Sequence, residues 1–155
     1  MEEKFMDEAV RLSRTYMERG QGGPFGCVIV KDGQVVGRGW NDVLHSGDPT
    51  AHAEVNAIRD ACKNLDTHQL EGCELYASCE PCPMCLGAIY WARPDKVYFA
   101  NTREDAAAIG FDDAFIYEEI NRDPAQRKIS MVALDKTNAM EVFRLWTEKK
   151  DKVTY

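Results

Sequence analysis

Residues 52–54 of the chain read His-Ala-Glu, and residues 81–85 read Pro-Cys-Pro-Met-Cys. The first segment opens a helical pattern that continues to about Leu65, and the second opens a short apolar helix that ends before Pro94. Pro83 suits the first position of a helix, where no amide hydrogen is needed. Each segment therefore predicts a helix start, and together the two helix starts carry one imidazole and two thiols.

His52, Cys82 and Cys85 form a set of donors that suits zinc. Zinc is usually four-coordinate, and three protein ligands leave the fourth position for water, as in catalytic sites. The positive end of a helix also favours thiolates. Because residues two apart do not share a helix face, His52 and Glu54 can converge only on a metal beyond the helix end. The spacing predicts an open zinc site with Glu54 beside it.

Two other interpretations of these cysteines stay open. Cys79, Cys82 and Cys85 are spaced as CxxCxxC, so Cys79 could close a structural zinc site and leave Glu54 without a role. Cys82 and Cys85 alone could form a redox pair, although no thioredoxin-like sequence surrounds them. The remaining thiols are expected in the core, and the remaining imidazoles at the surface: Cys27, Cys62 and Cys73, and His45 and His68.

Composition predicts a globular protein with one domain over residues 1–155. The chain has 155 residues, of which 45% are hydrophobic and 29% charged, which allows a single sizeable core. The net charge of -7 disfavours nucleic acid as a partner. The basic run Lys149, Lys150 and Lys152 is interpreted as a solvated helix end.

The amino terminus predicts an amphipathic helix over residues 1–19 rather than a signal peptide. No run approaches the ~18 apolar residues of a membrane span, so we expect no membrane partner. We therefore expect a cytoplasmic protein, in which six cysteines are thiols or metal ligands.

Helical and strand patterns alternate along the chain. Asp32-Gly33 between two apolar runs predicts a hairpin, so the sheet is mixed. The alternation predicts an α/β fold with helices on both faces of the sheet. Residues 101–108 are left unassigned. The expected strands are 25–31, 35–40, 73–78, 96–100 and 129–134; the other expected helices are about 50–65, 83–91, about 112–121 and 138–150.

Several motifs resemble those of the cytidine/deoxycytidylate deaminase superfamily, whose signature is H-x-E…P-C-x-x-C. The residues that carry the resemblance are Pro24-Phe25-Gly26, Asn41, Thr50 to Glu54, Ser78 to Cys85, Gly87 to Ala92 and Gly110 to Tyr117. The last segment, Gly-Phe-Asp-Asp-Ala-Phe-Ile-Tyr, is similar to the short bacterial guanine deaminases within that superfamily.

The resemblance implies a three-layer α-β-α fold with a mixed five-stranded sheet. It also implies one Zn²⁺ per chain, and hydrolysis of guanine to xanthine and ammonia in purine metabolism. Glu54 would move protons between water, the ring nitrogen and the departing amine. A homodimer is expected, with a carboxyl-terminal segment that reaches into the partner's site and that maps onto Asp113 and Tyr155.

The resemblance further assigns substrate contacts, which suit the chemistry of guanine. Phe25 and Trp91 would sandwich the ring, and Asn41 would pair with its edge. Asp113 would accept from a guanine N–H or assist proton transfer, and Tyr155 would close the pocket. Ala53 completes the expected set. Plainer roles stay open: core aromatics for Phe25 and Trp91, a turn residue for Asn41, a helix cap for Asp113, and a frayed terminus for Tyr155.

Two other functions compete with this one. The substrate of a related deaminase could be guanosine, cytosine or an adenosine in transfer RNA. A different class altogether would be a non-enzymatic binding domain that zinc stabilises.

Overall fold

The sheet is built on a hairpin with a two-residue turn. In the computed structural model, which describes residues 2–135 and 137–155, the first two strands pair antiparallel up to Lys31 and Gln34. Asp32 and Gly33 between them have φ angles of 50° and 74°, as the turn favoured by Asp-Gly requires. The predicted hairpin is confirmed.

The chain divides at Asp113 into two units, each described here by itself; the expected single domain over residues 1–155 stays a prediction. The first unit contains, in chain order, α1 (Glu2–Glu18), β1 (Gly26–Lys31), β2 (Gln34–Trp40), α2 (Val43–Ser46), α3 (Ala53–Leu65), β3 (Cys73–Cys79), α4 (Pro83–Ala92), β4 (Lys96–Asn101) and α5 (Arg103–Ala108). The second contains α6 (Ala114–Ile120), a 3-10 turn (Pro124–Gln126) and α7 (Thr137–Glu148).

The strands of the first unit form a mixed sheet in the order β2-β1-β3-β4. β1 is antiparallel to both of its neighbours, whereas β3 and β4 are parallel. A parallel pair needs a crossover connection, and α4 supplies it. The carboxyl end of β3 therefore delivers the chain to the start of α4.

Helices cover both faces of the sheet, which confirms the three-layer α-β-α arrangement. Val28 and Val30 of β1 pack in one core with Phe5 of α1. Cys27 and Ile29, the alternate residues, pack in the other core, which also contains residues of α3 and α4. The period of two along a strand assigns each residue to its face.

The backbone of α3 lies almost directly on β2, because β2 has glycine where the helix crosses it. A Cβ atom on Gly39 would lie 2.1 Å from the carbonyl oxygen of Ala53 and 2.4 Å from the amide nitrogen of Ala57. A Cβ on Gly37 would lie 2.6 Å from the Cβ of Ala61. This close approach fixes the position of the first turn of α3, where residues 52–54 lie.

The prediction of a fifth strand over residues 129–134 is wrong: the described sheet has four strands. The segment has no strand structure, and Ile129 and Leu134 are 83% and 80% exposed. The amide of Met131 donates to the carbonyl oxygen of Pro124 rather than to a neighbouring strand. An apolar run becomes a strand only where a sheet edge accepts its hydrogen bonds, and the apolar pattern alone could not show that this segment lacks one.

The unassigned residues 101–108 form the end of β4 and the short helix α5. Thr102 is the N-cap of α5 and accepts from the amide of Asp105, whose carboxylate accepts in return from the amide of Thr102. This is a capping box, and Thr-x-x-Asp was its signal in the sequence. No described helix is both long and apolar enough to cross a membrane.

Replacing Gly39 by alanine should lower the free energy of unfolding by about 1–3 kcal/mol, because the added methyl group overpacks the α3–β2 contact. Gly87, on the exposed face of α4, has nothing within 4 Å of its would-be Cβ, so Gly87→Ala is the matched control. The control should be neutral or stabilising by up to about 1 kcal/mol. Denaturant titration of both variants measures the difference, and equal midpoints would contradict the close packing of α3 on β2.

Candidate functional site

Two helix starts meet at the site. His52 is the N-cap of α3, with extended backbone angles (φ -78°, ψ 156°), and Glu54 lies in the first turn. Cys82 is the N-cap of α4, also extended (φ -67°, ψ 168°), and Pro83 follows it at the first helical position. Both predicted helix starts are confirmed, and His52 lies outside its helix, as convergence with Glu54 requires.

His52, Cys82 and Cys85 are the group of potential metal ligands found among the described residues, with ligand atoms within 4.8 Å of one another. The Nδ1 atom of His52 is 3.5 Å from Sγ of Cys82 and 3.6 Å from Sγ of Cys85. Zn–S and Zn–N bonds of ~2.3 and ~2.05 Å at a tetrahedral angle separate sulfur from nitrogen by about 3.6 Å. The donor atoms therefore have the type and the spacing that zinc requires.

The environment of Cys82 favours its thiolate. A hydrogen bond from Cys85 is the largest cause, and together with a hydrogen bond from His52 it lowers the pKa of Cys82 to about 4. The hydrogen bond to Cys82 also raises the pKa of His52, and the same interaction raises that of Cys85. Negative charge is thus concentrated on a sulfur that faces the other two donors, which is what a cation at this point would stabilise.

Glu54 lies beside the donors and away from bulk water. It is 8% exposed, and burial raises the pKa of its carboxyl group. The side chain is within hydrogen-bonding reach of the Cys85 thiol. A buried carboxyl group next to a metal centre can hold and release a proton.

Cys79 does not complete a closed metal site. Its thiol approaches the carbonyl oxygen of Thr102 at 3.5 Å, and burial raises its pKa to about 11. It is absent from the donor group found among the described residues. A redox pair also fits less well, because Cys82 and Cys85 both face one imidazole nitrogen.

The other cysteines and histidines lie where the sequence predicted. Cys27 and Cys73 are buried in the core and Cys62 packs against it. His45 and His68 are exposed.

Phe25 and Asn41 lie on adjoining chain segments that lead to the site. Phe25 packs partly against the core of α3 and α4, and its carbonyl oxygen accepts from the amide of Asn41 at 3.0 Å. Asn41 is 6% exposed, and its Oδ1 atom accepts from the amide of Val43. Asn41 is therefore a turn residue, as one interpretation expected. Its amide NH2 group takes no part in this bond. The next residue, Asp42, donates its amide to Ala51, directly before His52.

Asp113 interacts electrostatically with Cys82, one of the three potential metal ligands. Burial is the main cause that raises the pKa of its carboxyl group, and the negative charge of Cys82 is the second. The position of Asp113 is thus close enough to Cys82 for the two charges to repel each other.

Ala53, Trp91 and Tyr155 complete the set of predicted substrate residues. The methyl group of Ala53 is buried in the core, so only its backbone could contact a ligand. Trp91 is 64% exposed near the far end of α4, about 13 Å along the helix from Cys82 at 1.5 Å per residue. Tyr155 belongs to the second unit and is 68% exposed.

Two residues near the site were not among those predicted from the sequence. The carboxylate of Glu80 accepts from the amide of Arg103 at 3.0 Å and so ties the start of α5 to the loop before Cys82. Phe111 packs edge-on against Phe25, with ring centroids 5.0 Å apart. An aromatic residue directly after a glycine and two residues before Asp113 was the available signal.

Comparison with known proteins agrees with this geometry. Residues 1–101 match the family described as the cytidine and deoxycytidylate deaminase zinc-binding region. The chain is 52% identical over 153 residues to guanine deaminase of Bacillus subtilis (strain 168), covering 99% of this chain and 98% of the relative. The X-ray structure of guanine deaminase from Bacillus subtilis superimposes with a TM-score of 0.96 over 99% of this chain and 98% of that one.

Similarity to another member is shorter. The chain is 45% identical to the tRNA-specific adenosine deaminase of Aquifex aeolicus (strain VF5) over 98 residues, which are 63% of this chain and 64% of that protein.

Proposed function

The chain belongs to the family of cytidine and deoxycytidylate deaminases with their zinc-binding region, and on that premise we propose that it hydrolyses guanine to xanthine and ammonia. The observation that carries the reaction type is the approach of His52, Cys82 and Cys85 around one point, with buried Glu54 beside it. The choice of guanine is carried by 52% identity to a guanine deaminase over almost the whole of both chains.

The enzyme is zinc-dependent, and His52, Cys82 and Cys85 would hold the ion. Three protein ligands leave one coordination position for water. Bound zinc supplies a water molecule whose pKa is lowered towards ~7.

Glu54 performs the proton transfers. It accepts a proton as the water oxygen bonds to the ring carbon that carries the amino group, and it delivers that proton to the adjacent ring nitrogen. A second proton from the same water then passes through Glu54 to the amine, and the carbon–nitrogen bond breaks to release ammonia. Burial of Glu54 supports this role, because bulk water does not compete for the proton.

Phe25, Asn41, Ala53 and Asp113 bind the base. The ring of Phe25 stacks on the purine. Asn41 donates its amide NH2 to an acceptor on the base, since its oxygen already accepts from Val43. Ala53 contributes backbone only, because its methyl group is in the core. Asp113 accepts from a guanine N–H or assists in proton transfer, consistent with its interaction with Cys82.

Adenosine in transfer RNA is the competing substrate, given the shorter similarity to a tRNA-specific adenosine deaminase. The net charge of -7 disfavours a phosphate backbone. In the basic run near the carboxyl end, Lys149 pairs with Asp151 and Lys152 donates to the carbonyl oxygen of Thr147. These local bonds fit a solvated helix end, so a free base is favoured.

We also propose a homodimer, with Trp91 and Tyr155 contributing to the partner's pocket. The distance of Trp91 from Cys82 along α4 supports this assignment. So does the apolar surface of the second unit, which a partner would cover. The exposed apolar side chains of that unit include Ile129, Met131, Val132, Leu134, Met140, Val142, Phe143, Leu145 and Trp146.

We place the enzyme in the cytoplasm. All six cysteines are free thiols, and the two sulfur ligands need a reducing compartment to stay reduced.

Replacing Glu54 by glutamine should lower the rate of guanine deamination by about 10²–10⁴-fold, because the amide cannot carry the proton. Zinc content should stay at one ion per chain. Ammonia release is measured from guanine, adenine, cytosine and their nucleosides, with Glu104→Gln as control, since that side chain is 76% exposed. Near-native turnover by Glu54→Gln would refute its role. Zinc binding without ammonia release from any base would instead indicate a binding domain.

Replacing Tyr155 by alanine should lower activity on guanine and raise activity on guanosine, because an open pocket has room for ribose. Val153 is similarly exposed, at 63% against 68%, so Val153→Ala is the matched control. Steady-state kinetics on both substrates measure the effect. Unchanged guanine kinetics in Tyr155→Ala would remove this residue from the site.

A further inference from the structure

Phe111 lies at a sharp change of chain direction just before Asp113. Gly110 has a φ angle of 99°, which favours glycine. The amide of Phe111 donates to the carbonyl oxygen of Ala106 at 2.9 Å. Residues 111–113 have no regular secondary structure, and they connect Gly110 to the start of α6 at Ala114.

The ring of Phe111 is held by two neighbours although it is 46% exposed. It meets the Phe25 ring edge-to-face, with centroids 5.0 Å apart and planes at 90°, an arrangement that aromatic pairs favour. It also rests against the backbone at Gly23, where a Cβ atom would lie 2.9 Å from Cζ of Phe111 and 3.0 Å from Cε2 of Phe25. The Phe111 ring can pack at this position because Gly23 has no side chain.

Phe25, on which the Phe111 ring packs, is anchored by side-chain packing and by a backbone hydrogen bond. Phe25 packs against the core formed with α3 and α4, and its carbonyl oxygen holds the amide of Asn41. Phe25 therefore has contacts of its own besides Phe111, whereas residues 111–113 lie outside the helices and strands.

Asp113 follows Phe111 by two residues, which span at most ~7 Å. The amide of Arg103 donates to the carboxylate of Glu80, two residues before Cys82, and the carboxylate of Asp113 interacts with the charges of both Arg103 and Cys82. Asp113 therefore lies near the metal centre. A short segment thus connects a ring fixed on the core to a carboxylate at the site.

We propose that Phe111 is a positioning residue: its ring, seated on Phe25 and Gly23, fixes the segment that holds Asp113 at the metal centre. The inference rests on the role proposed above for Asp113. Displacement of a catalytic or binding group by about 1 Å can cost about 10²-fold in rate, so loss of the ring should be visible in catalysis while the fold stays intact.

A double-mutant cycle tests the proposal, with kcat/KM for guanine measured for Phe111→Ala, Asp113→Asn and the double variant. Phe111→Ala alone should lose about 10- to 100-fold, and Asp113→Asn about 10²-fold or more. In the Asp113→Asn background, Phe111→Ala should cost less than about twofold, because the group that it positions is already lost.

Ile109→Ala is the matched control, because Ile109 is a large exposed side chain in the same segment, at 60% exposure. It should leave kcat/KM and zinc content unchanged. Gly23→Ala adds a methyl group 2.9 Å from Cζ of Phe111, which displaces the ring, and it should reproduce the loss seen with Phe111→Ala. Zinc content and thermal midpoint of every variant show whether the fold is intact.

The outcomes separate the two proposals. Near-native activity of Asp113→Asn would overturn the role of Asp113 and this inference with it. A second outcome is a large loss in Asp113→Asn together with a Phe111→Ala loss in kcat/KM that is as large in the Asp113→Asn background as in the unmodified enzyme. That outcome would leave the role of Asp113 standing and overturn the positioning role of Phe111.

Discussion

The meeting of two helix starts is the constraint on which the site depends. His52 and Cys82 are both N-caps, and neither side chain makes the capping hydrogen bond that residues at this position usually make. Their extended backbone angles turn both side chains beyond the helix ends, where Nδ1 of His52 comes within 3.6 Å of both sulfurs. A cation between them would use these side chains in place of capping.

The rest of the first unit holds these two helix starts together. The glycines of β2 let the backbone of α3 lie on the sheet, which places His52 and Glu54. β3 leads directly to the loop before Cys82, and the parallel pairing of β3 with β4 requires α4 as the crossover. A change in packing at a residue that is not itself a donor, such as a methyl group on Gly39, would therefore alter the geometry of the metal centre.

The sequence was sufficient where local chemistry determines the structure. Asp32-Gly33 predicted the hairpin, and Pro83 predicted the start of α4. It was insufficient where a neighbour decides: residues 129–134 have the composition of a strand but donate to Pro124. The donors and Glu54 follow from spacing, whereas the substrate residues came from resemblance, because contacts such as Phe25 with Phe111 join positions 86 residues apart. The predicted helix over 83–91 already implied the distance of Trp91 from Cys82, whereas the exposure of Trp91 required the packing of α4.

The open coordination of the metal centre is the central claim, and X-ray absorption at the zinc edge of the purified enzyme tests it most directly. Two sulfur neighbours at ~2.3 Å and two nitrogen or oxygen neighbours at ~2.0–2.2 Å are predicted, from Cys82, Cys85, His52 and one water. Three sulfur neighbours would contradict the account, because Cys79 would then close the site and leave no position for water.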